Sequence, residues 1–263
     1  MIKYLKIYLH ILKLSFIQAF TFRVSFAAGL LAAFSHAFVR VMMILFISNL
    51  ANGIAGWTQG ELLLFTGVHQ LFVYLMFFLF YRNMRWLARD IFTGNFDYAL
   101  TKPIDSQFVV FLRPGGLHNL ICALTAFFVI GWSSSHYHLG IEAFPLVWLF
   151  LFLGCGLLLV YSFLIIGTSL AFWFDRIENI IELVINWSIG VSRFPIQAYH
   201  HLAEPVFLFL LPLVLITTVP AQTLLAKFDL KTTLALVTIS LGAFLASRKF
   251  FQRALRFYTS ASS

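Results

Sequence analysis

Long apolar runs separated by short polar segments dominate the chain, and their lengths predict membrane-spanning helices. A run of about 18 or more apolar residues with few charges is long enough to cross a bilayer as a helix. The runs lie at residues 24–50, 61–81, 115–132, 144–172, 177–190 and 230–247. We therefore predict an all-α membrane protein with six transmembrane helices, forming one transmembrane domain over residues 1–263.

The composition agrees with this prediction and excludes one class of partner. Of the 263 residues, 61% are hydrophobic and 11% are charged, whereas a soluble domain has about 25% charged residues. The net charge is +8, but the cations lie in short segments beside the apolar runs, which is the orientation signal of membrane proteins. Without a nucleic-acid-binding motif, the charge indicates contact with membrane lipid and no binding of nucleic acid.

Residues 1–23 have the pattern of an amphipathic helix. Lys3, Lys6, His10 and Lys13 share one helical face, and apolar side chains, Leu9 and Phe16 among them, share the opposite face. A helix of this kind lies in the membrane interface. The alternative is that residues 1–23 simply extend the first span.

The distribution of cations predicts the topology. Four cations lie in residues 1–23 and four in residues 248–256, so both termini are expected in the cytoplasm and the number of crossings is even. The apolar run at 206–226 contains Pro212 and Pro220, and broken helices at membrane depth must be shielded by protein. We therefore predict an outer re-entrant region at 194–229, before the last span. The cation-free loops 51–60 and 133–143 also lie outside.

The polar segment 82–105 between the second and third spans has two amphipathic faces. On a helix, Arg82, Arg85 and Arg89 share a basic face, opposite an apolar face formed by Met84, Leu87, Ala88 and Ile91. We expect this helix to lie along the cytoplasmic membrane surface and to end at Gly94, because glycine is favoured just past a helix C-terminus. Two interpretations remain open: the basic face binds lipid phosphates, or the segment is a docking platform for a cytoplasmic partner.

Two stretches carry a resemblance to a known family. The first comprises Ile91, Gly94, Phe96, Asp97, Tyr98, Leu100, Lys102, Pro103 and Ile104, and the second comprises Phe194, Pro195, Leu211, Pro212, Thr218, Val219, Pro220, Ala221, Leu224 and Leu225. The first resembles the cytoplasmic loop of type-2 ATP-binding-cassette (ABC) export permeases, and the second resembles their re-entrant segment. Lys102 stands where arginine is more familiar in the family, and the two cations differ in geometry.

The resemblance implies a membrane subunit of an exporter in the bacterial plasma (inner) membrane. Such permeases pair with a second permease, identical or related, and bind two cytoplasmic ABC ATPase subunits. The sequence has no G-x-x-x-x-G-K-[ST] motif to cradle a nucleotide, so the chain is expected to have no enzymatic activity and no cofactor, with ATP and Mg on the partner. The ATPase-coupling residues implied are Arg82, Arg85, Arg89, Asp90, Gly94, Asp97, Tyr98, Lys102 and Pro103. Those of the re-entrant segment are Pro195, Pro212 and Pro220.

Polar residues inside the predicted spans are candidates for a pore or subunit interface. His36 and Arg40 lie one turn apart in the first span, and Glu182 and Asn186 lie one turn apart in the fifth. Intramembrane ions usually face a bundle interior or a water-filled cavity. The alternatives are that Arg40 is a buried cation paired with a carbonyl or carboxylate, and that Glu182 lies in the cytoplasmic interface.

Rival functions rest on weaker features. A secondary transporter driven by an ion gradient usually has duplicated halves and ionisable groups at the midplane. A membrane enzyme or assembly factor acting on lipids is expected to carry paired acids or clustered histidines at the surface. The histidines of the predicted outer loops, His136, His138, His200 and His201, are either exposed loop residues or ligands for zinc or copper.

Overall fold

The computed structural model describes residues 2–51, 53–103, 105–111, 116–140, 144–174, 177–199 and 212–258. These residues form helices and no β-strand. The α-helices are α1 (Ile2–Thr21), α2 (Arg23–Ala51), α3 (Gln59–Met76), α4 (Arg82–Phe92), α5 (Asp97–Leu100), α6 (Ser106–Phe111), α7 (Leu117–His136), α8 (Phe144–Ser169), α9 (Glu178–Val191), α10 (Leu215–Leu224) and α11 (Leu230–Ala254).

Five helical segments are long and apolar enough to cross a membrane, which confirms the prediction of a multi-pass helical membrane protein. They are Arg23–Leu50, Gln59–Phe92, Leu117–His136, Leu146–Phe172 and Leu230–Phe257. The fifth predicted span corresponds to α9, whose 14 residues span roughly 21 Å at 1.5 Å per residue. This length is shorter than the bilayer hydrocarbon core of about 30 Å, so the count of six spans remains a prediction.

The N-terminal helix and the first span are separate helices. The break falls at Phe22, between α1 and α2, close to the predicted boundary at residue 23. The location of α1 in the membrane interface remains a prediction.

The helix from Gln59 to Phe92 forms the centre of the bundle. Its α3 part continues through a π-helical segment, Phe77–Tyr81, directly into α4. The side chains from Leu62 to Phe72 are almost completely buried, because α2, α7, α8 and α10 surround them. At Gly67 an added Cβ would lie 2.6 Å from the Ile130 side chain, and small residues of this kind allow membrane helices to approach closely.

The predicted re-entrant region is described only in part, since residues 200–211, including Leu211, lie outside the described residues. Pro212 opens a 3₁₀ turn, Pro212–Val214, that leads into α10. Pro220 lies inside α10 and does not end it, so the expected interruption at Pro220 is wrong. Pro195, before a 3₁₀ turn, and the residues 212–222 are buried. The turn back to the outer side remains a prediction.

Polar contacts group the helix ends at two ends of the bundle. At the first, Glu61 pairs with Lys227 at 2.7 Å, and the Trp57 indole donates to Gln197 Oε1 at 3.2 Å. At the other, Asp105 pairs with Arg248 at 2.9 Å. We call these the Glu61 end and the α4 end. The grouping agrees with the predicted outer and cytoplasmic sets, and it places Lys227 beside a carboxylate.

Candidate coupling surface and intramembrane cavity

The basic face of α4 is exposed at the α4 end of the bundle, and its cations contact neighbouring side chains. The Arg82 guanidinium lies 5.6 Å from the centroid of the Trp86 ring. Arg85 Nη1 lies 3.5 Å from Glu182 Oε1 and donates to the Tyr81 hydroxyl at 3.0 Å. The three arginines of the face are solvent-accessible, as an interaction surface requires.

The apolar face of α4 packs on protein, which differs from the expected contact with lipid. Met84, Leu87, Ala88 and Ile91 are each less than 7% exposed, because α4 lies against α8 and the 3₁₀ turn Leu170–Phe172 that follows it. The π-helical segment continues the helix of the second span into α4. The segment is therefore an extension of the bundle, and its position along the cytoplasmic membrane surface remains a prediction.

Gly94 ends α4 as predicted. Its φ of 74° is in the left-handed region that glycine adopts without a steric cost. The Gly94 N–H donates to the Ile91 carbonyl at 3.3 Å, and the Phe96 N–H donates to the Asp90 carbonyl at 3.1 Å. These two bonds reverse the chain and place Asp97 at the start of the short helix α5.

Phe96 fixes the loop after α4 to the rest of the bundle through aromatic contacts. Its ring is 1% exposed and lies 6.0 Å from the Phe172 ring and 5.6 Å from the Tyr258 ring. Phe172 also contacts Phe251 of α11 at 6.2 Å. We call Phe96, Phe172, Phe251 and Tyr258 the aromatic cluster. It joins the loop, the end of α8 and the end of the last span in one packed unit.

Tyr258 connects the end of the last span with two of the loop residues that carry the resemblance, Gly94 and Asp97. Its hydroxyl donates to the Gly94 carbonyl at 3.3 Å and also interacts with Asp97. Burial, followed by the adjacent Asp97 carboxylate, raises the pKa of Tyr258 to about 12. The hydroxyl therefore remains a donor at neutral pH. Because this contact joins residues 164 positions apart, no local pattern indicated it.

The other loop residues face outward. Tyr98 is 73% exposed and Leu100 is 43% exposed, and Lys102 and Pro103 are also exposed. Ile104, the last residue of the motif, lies outside the described residues. The loop therefore has one anchored aromatic side chain, Phe96, and an exposed surface formed by its neighbours. Large exposed apolar residues beside charges are typical of a protein interaction site.

His36 and Arg40 line a cavity of about 700 Å³ between α2, α3, α7 and the end of α9. Its lining extends along α2 from Gly29 to Arg40, which is about 16 Å at 1.5 Å per residue. Arg82 and His118 lie on its wall near the α4 end, and Arg193 lies on the wall with Arg40. A smaller cavity of about 150 Å³ shares His36, Arg40 and Arg193 with it.

Arg40 is held by a chain of hydrogen bonds that identifies the histidine tautomer. Arg40 Nη1 lies 3.0 Å from His69 Nδ1, and His69 Nε2 lies 3.1 Å from the Ile189 carbonyl. Since arginine can only donate, His69 Nδ1 accepts from Arg40, and the protonated Nε2 donates to Ile189. The partner of Arg40 is therefore a neutral imidazole and not the carbonyl or carboxylate of the alternative, and no carboxylate among the described residues pairs with Arg40.

The predicted residues of the fifth span do not line this cavity, although Glu182 bonds to Tyr81, which does. Glu182 lies at the α4 end, where it pairs with Arg85 and accepts from the Tyr81 hydroxyl at 3.3 Å. Asn186 is exposed and is not among the lining residues of the cavity. Residue type and spacing alone therefore did not show which end of α9 reaches the cavity. Arg193, just beyond α9, lines the cavity and was not among the candidates.

A second cavity of about 660 Å³ opens near the α4 end and is mostly apolar. Its polar groups are already bonded to one another: Gln107 Nε2 donates to the Tyr161 hydroxyl at 2.6 Å, and Asp105 pairs with Arg248. Since these groups satisfy one another, this cavity offers few polar contacts to a ligand.

The described residues contain no group of three His, Cys, Asp or Glu side chains placed to hold a metal ion. His200 and His201 lie outside the described residues. His136 stacks on Trp132 with ring centroids 5.3 Å apart.

Comparison with known proteins identifies one family. A family model described as an ABC-2 family transporter protein matches residues 6–262. Searches of curated proteins and of solved structures found no match.

Proposed function

Because the chain belongs to the ABC-2 transporter family, we propose that it is the permease subunit of an exporter driven by a separate ATPase. Two ATPase subunits bind beneath the permease and close on ATP and Mg. The segment 82–105, with the interfacial N-terminal helix, transmits that closure to the spans. Substrate moves outward between this chain and a second permease, identical or related, in the bacterial inner membrane.

The observation that carries the proposal is the two-sided loop at the α4 end. Phe96 is buried in the aromatic cluster, whereas Tyr98, two residues later, is the most exposed of the loop's apolar side chains. A movement of the exposed surface therefore reaches the end of α8 and α11 through the ring contacts of Phe96. α4 itself continues α3 through the centre of the bundle. This connection favours docking of a partner over simple attraction to lipid phosphates.

In this proposal, the predicted coupling residues act in three ways. Tyr98, Lys102 and Pro103 contact the ATPase, together with Arg82 and Arg89 of the basic face. Gly94 shapes the loop, and Asp90 contributes its carbonyl to the turn. Arg85 and Asp97 orient the surface through Glu182 and Tyr258.

Co-purification from native membranes tests the proposal. The wild-type chain is expected to retain an ABC ATPase, identified by mass spectrometry. Tyr98→Ala is expected to lower the amount retained by about tenfold or more, as for loss of an aromatic anchor at an interface. The matched control is Phe228→Ala, which removes a similarly exposed aromatic side chain at the Glu61 end and is expected to retain the ATPase.

A second pair of variants separates docking from loop structure. Asp97→Ala removes both the carboxylate and its interaction with Tyr258, whereas Tyr258→Phe removes only the hydroxyl. If Asp97 acts by orienting the loop through Tyr258, as proposed, the two variants reduce retention equally; a stronger loss in Asp97→Ala shows that Asp97 itself contacts the ATPase. Full retention by Tyr98→Ala and Asp97→Ala, with triple neutralisation of Arg82, Arg85 and Arg89 lowering only membrane abundance, contradicts the proposal and favours lipid binding.

A further inference from the structure

The cavity beside α2 is lined by basic side chains at two depths. Arg82 and His118 lie near the α4 end, and His36, Arg40 and Arg193 lie deeper. Arg40 and Arg193 are close enough for electrostatic repulsion between them. Cations inside a membrane protein are costly unless they are balanced by an opposite charge or reach water.

The described carboxylates do not balance these cations. None of them lines the large cavity or its small neighbour. Glu61 pairs with Lys227, Asp105 pairs with Arg248, and Glu182 pairs with Arg85, while Asp229 caps α11. Within the described part of the chain, no ion pair involves Arg40 or Arg193. An anion is therefore the ligand that the charge of this cavity favours.

The hydrogen bonds of Arg40 leave most of its donors available. A guanidinium has five N–H donors, and one is used on His69. The bond fixes Arg40, since His69 is itself held by the Ile189 carbonyl. A fixed guanidinium suits bidentate recognition of a phosphate or carboxylate.

The remaining wall of the cavity is apolar and is supplied by Ala32, Ala33, Val73, Phe77 and Ile189. Its volume of about 700 Å³ lies within the range of about 300–1,000 Å³ for small-molecule sites. A small inorganic anion uses only the cationic part of such a cavity. An amphiphile with an anionic group and an apolar tail uses both parts.

We propose that this cavity binds the phosphate or carboxylate group of an anionic amphiphile, held by Arg40 and Arg193, and that this is the class of molecule transported. The assignment of transport rests on the proposed function, whereas the binding site does not. His36 and His118 lie on the same wall and supply further donors. The small cavity beyond Arg40 and Arg193 continues the path towards Thr66.

Binding of dodecyl phosphate to the purified chain in a nonionic detergent tests the site, with native mass spectrometry counting bound molecules. One molecule per chain is expected to bind, and dodecylphosphocholine, with the same tail and no net charge, is expected to bind at least about tenfold more weakly. Inorganic phosphate is expected not to compete at equal concentration. Equal binding of dodecylphosphocholine, or competition by inorganic phosphate, overturns the proposal.

Variants connect the binding with the cavity. Arg193→Gln is expected to weaken dodecyl phosphate binding by about tenfold, as for loss of one charge-assisted hydrogen bond. Arg40→Lys keeps a cation and is expected to bind better than Arg40→Gln. The matched control, Arg253→Gln, removes the same charge from an exposed position of α11 and is expected to bind normally. Equal affinity in Arg193→Gln, Arg40→Gln and the wild type overturns the site.

Two further comparisons distinguish a membrane lipid from a single-chain amphiphile, and failure of the binding site from failure of the proposed function. Displacement of dodecyl phosphate by phosphatidylglycerol indicates a membrane lipid, and its absence indicates a single-chain amphiphile; both results support an anionic amphiphile. The assay needs neither ATP nor a partner. If dodecyl phosphate binds but no ATPase co-purifies, the proposed function fails and the site stands. If the ATPase co-purifies and dodecyl phosphate does not bind, only the site fails.

Discussion

The cations of α4 and those of the membrane cavity belong to neighbouring parts of the same bundle, but they are balanced in different ways. Arg85 of α4 has a carboxylate partner at 3.5 Å, and Arg82, which also lies on the cavity wall, is over an aromatic ring. Among the described residues, the side-chain hydrogen-bond partner of Arg40 is a neutral histidine. At the α4 end, Arg85 and Arg248 are paired with carboxylates, and aromatic rings supply the packing. In the cavity, the polar groups are positioned without being neutralised. This difference indicates that the contacts of the α4 end hold the helices together, whereas the cavity is suited to bind a ligand.

The largest expected effect tests whether aromatic packing holds the α4 end together. Phe96→Ala removes a side chain that is 1% exposed, and we expect it to destabilise the protein by about 3–5 kcal/mol through the cavity it leaves. Unfolding in detergent micelles measures the change. Tyr98→Ala, on the exposed side of the same loop, is the control and is expected to remain within about 0.5 kcal/mol of the wild type. Similar losses in both variants contradict the two-sided loop.

The second prediction tests the structural role of the cavity arginines. Arg40→Met removes the donor to the buried His69 Nδ1, and an unsatisfied buried acceptor costs about 1–3 kcal/mol. Arg193→Met breaks no described ion pair or hydrogen bond, so we expect its stability to change by less than about 0.5 kcal/mol. Unfolding of both variants in the same detergent is the measurement. If Arg193→Met is the more destabilising variant, Arg193 has a structural partner. That result contradicts the claim that the charges of the cavity are not neutralised by protein groups.

The third prediction concerns a carboxylate committed to backbone capping. Asp229 accepts from the Lys231 and Thr232 N–H groups at the start of α11 at 3.2 and 3.3 Å. Slight burial raises the pKa of Asp229, but these hydrogen bonds lower it by more, so it lies below its usual value. The stabilisation is therefore present at neutral pH and is lost as the pH falls through the lowered pKa.

Asp229→Ala is expected to cost about 1 kcal/mol at neutral pH, and the loss should become smaller in acid as the carboxylate is protonated. Comparing the unfolding midpoints of both proteins at pH 7 and pH 3 measures this change. Asp229→Asn, whose amide oxygen can still cap the helix, is the control. A pH-independent loss contradicts the role of the ionised carboxylate.

The smallest expected effect is that of the Arg85–Glu182 pair. Both side chains are more than a third exposed, and exposed pairs contribute about 0–1 kcal/mol. Glu182→Gln is therefore expected to change stability by less than about 1 kcal/mol, and the difference should shrink further in 1 M salt. A larger loss would mean that ion pairs stabilise the α4 end, and it would contradict the claim that aromatic packing is the main source of its stability.

Local features of the chain were predicted best where a residue acts on its own neighbourhood. Gly94 ends α4 because its backbone conformation favours glycine, and the break near residue 23 follows from a change in pattern along the chain. The same reasoning failed at Pro220, which α10 accommodates, because neighbouring helices bury that segment and stabilise its helical form.

The candidate site was predicted only in part for a related reason. Arg40 stood out because a cation inside a long apolar run is visible in the sequence itself. His69 and Arg193 did not stand out, although they complete the cavity around Arg40, because their role depends on α3 and the end of α9 reaching the same cavity as α2. The α4 face shows the same limit, since its apolar stripe suits lipid or protein equally well.

The sequence by itself determined that the chain is a helical membrane protein, where its long apolar helices lie, and which loop carries the family motif. These properties depend on the lengths of apolar runs and on local backbone preferences, so they are encoded in adjacent residues. Only the tertiary structure decided that Tyr258 contacts Gly94 and that Arg40 shares a cavity with Arg193. Such pairings depend on how whole helices are positioned in the packed bundle. Those positions result from contacts between distant parts of the chain, and no short segment of the sequence specifies them.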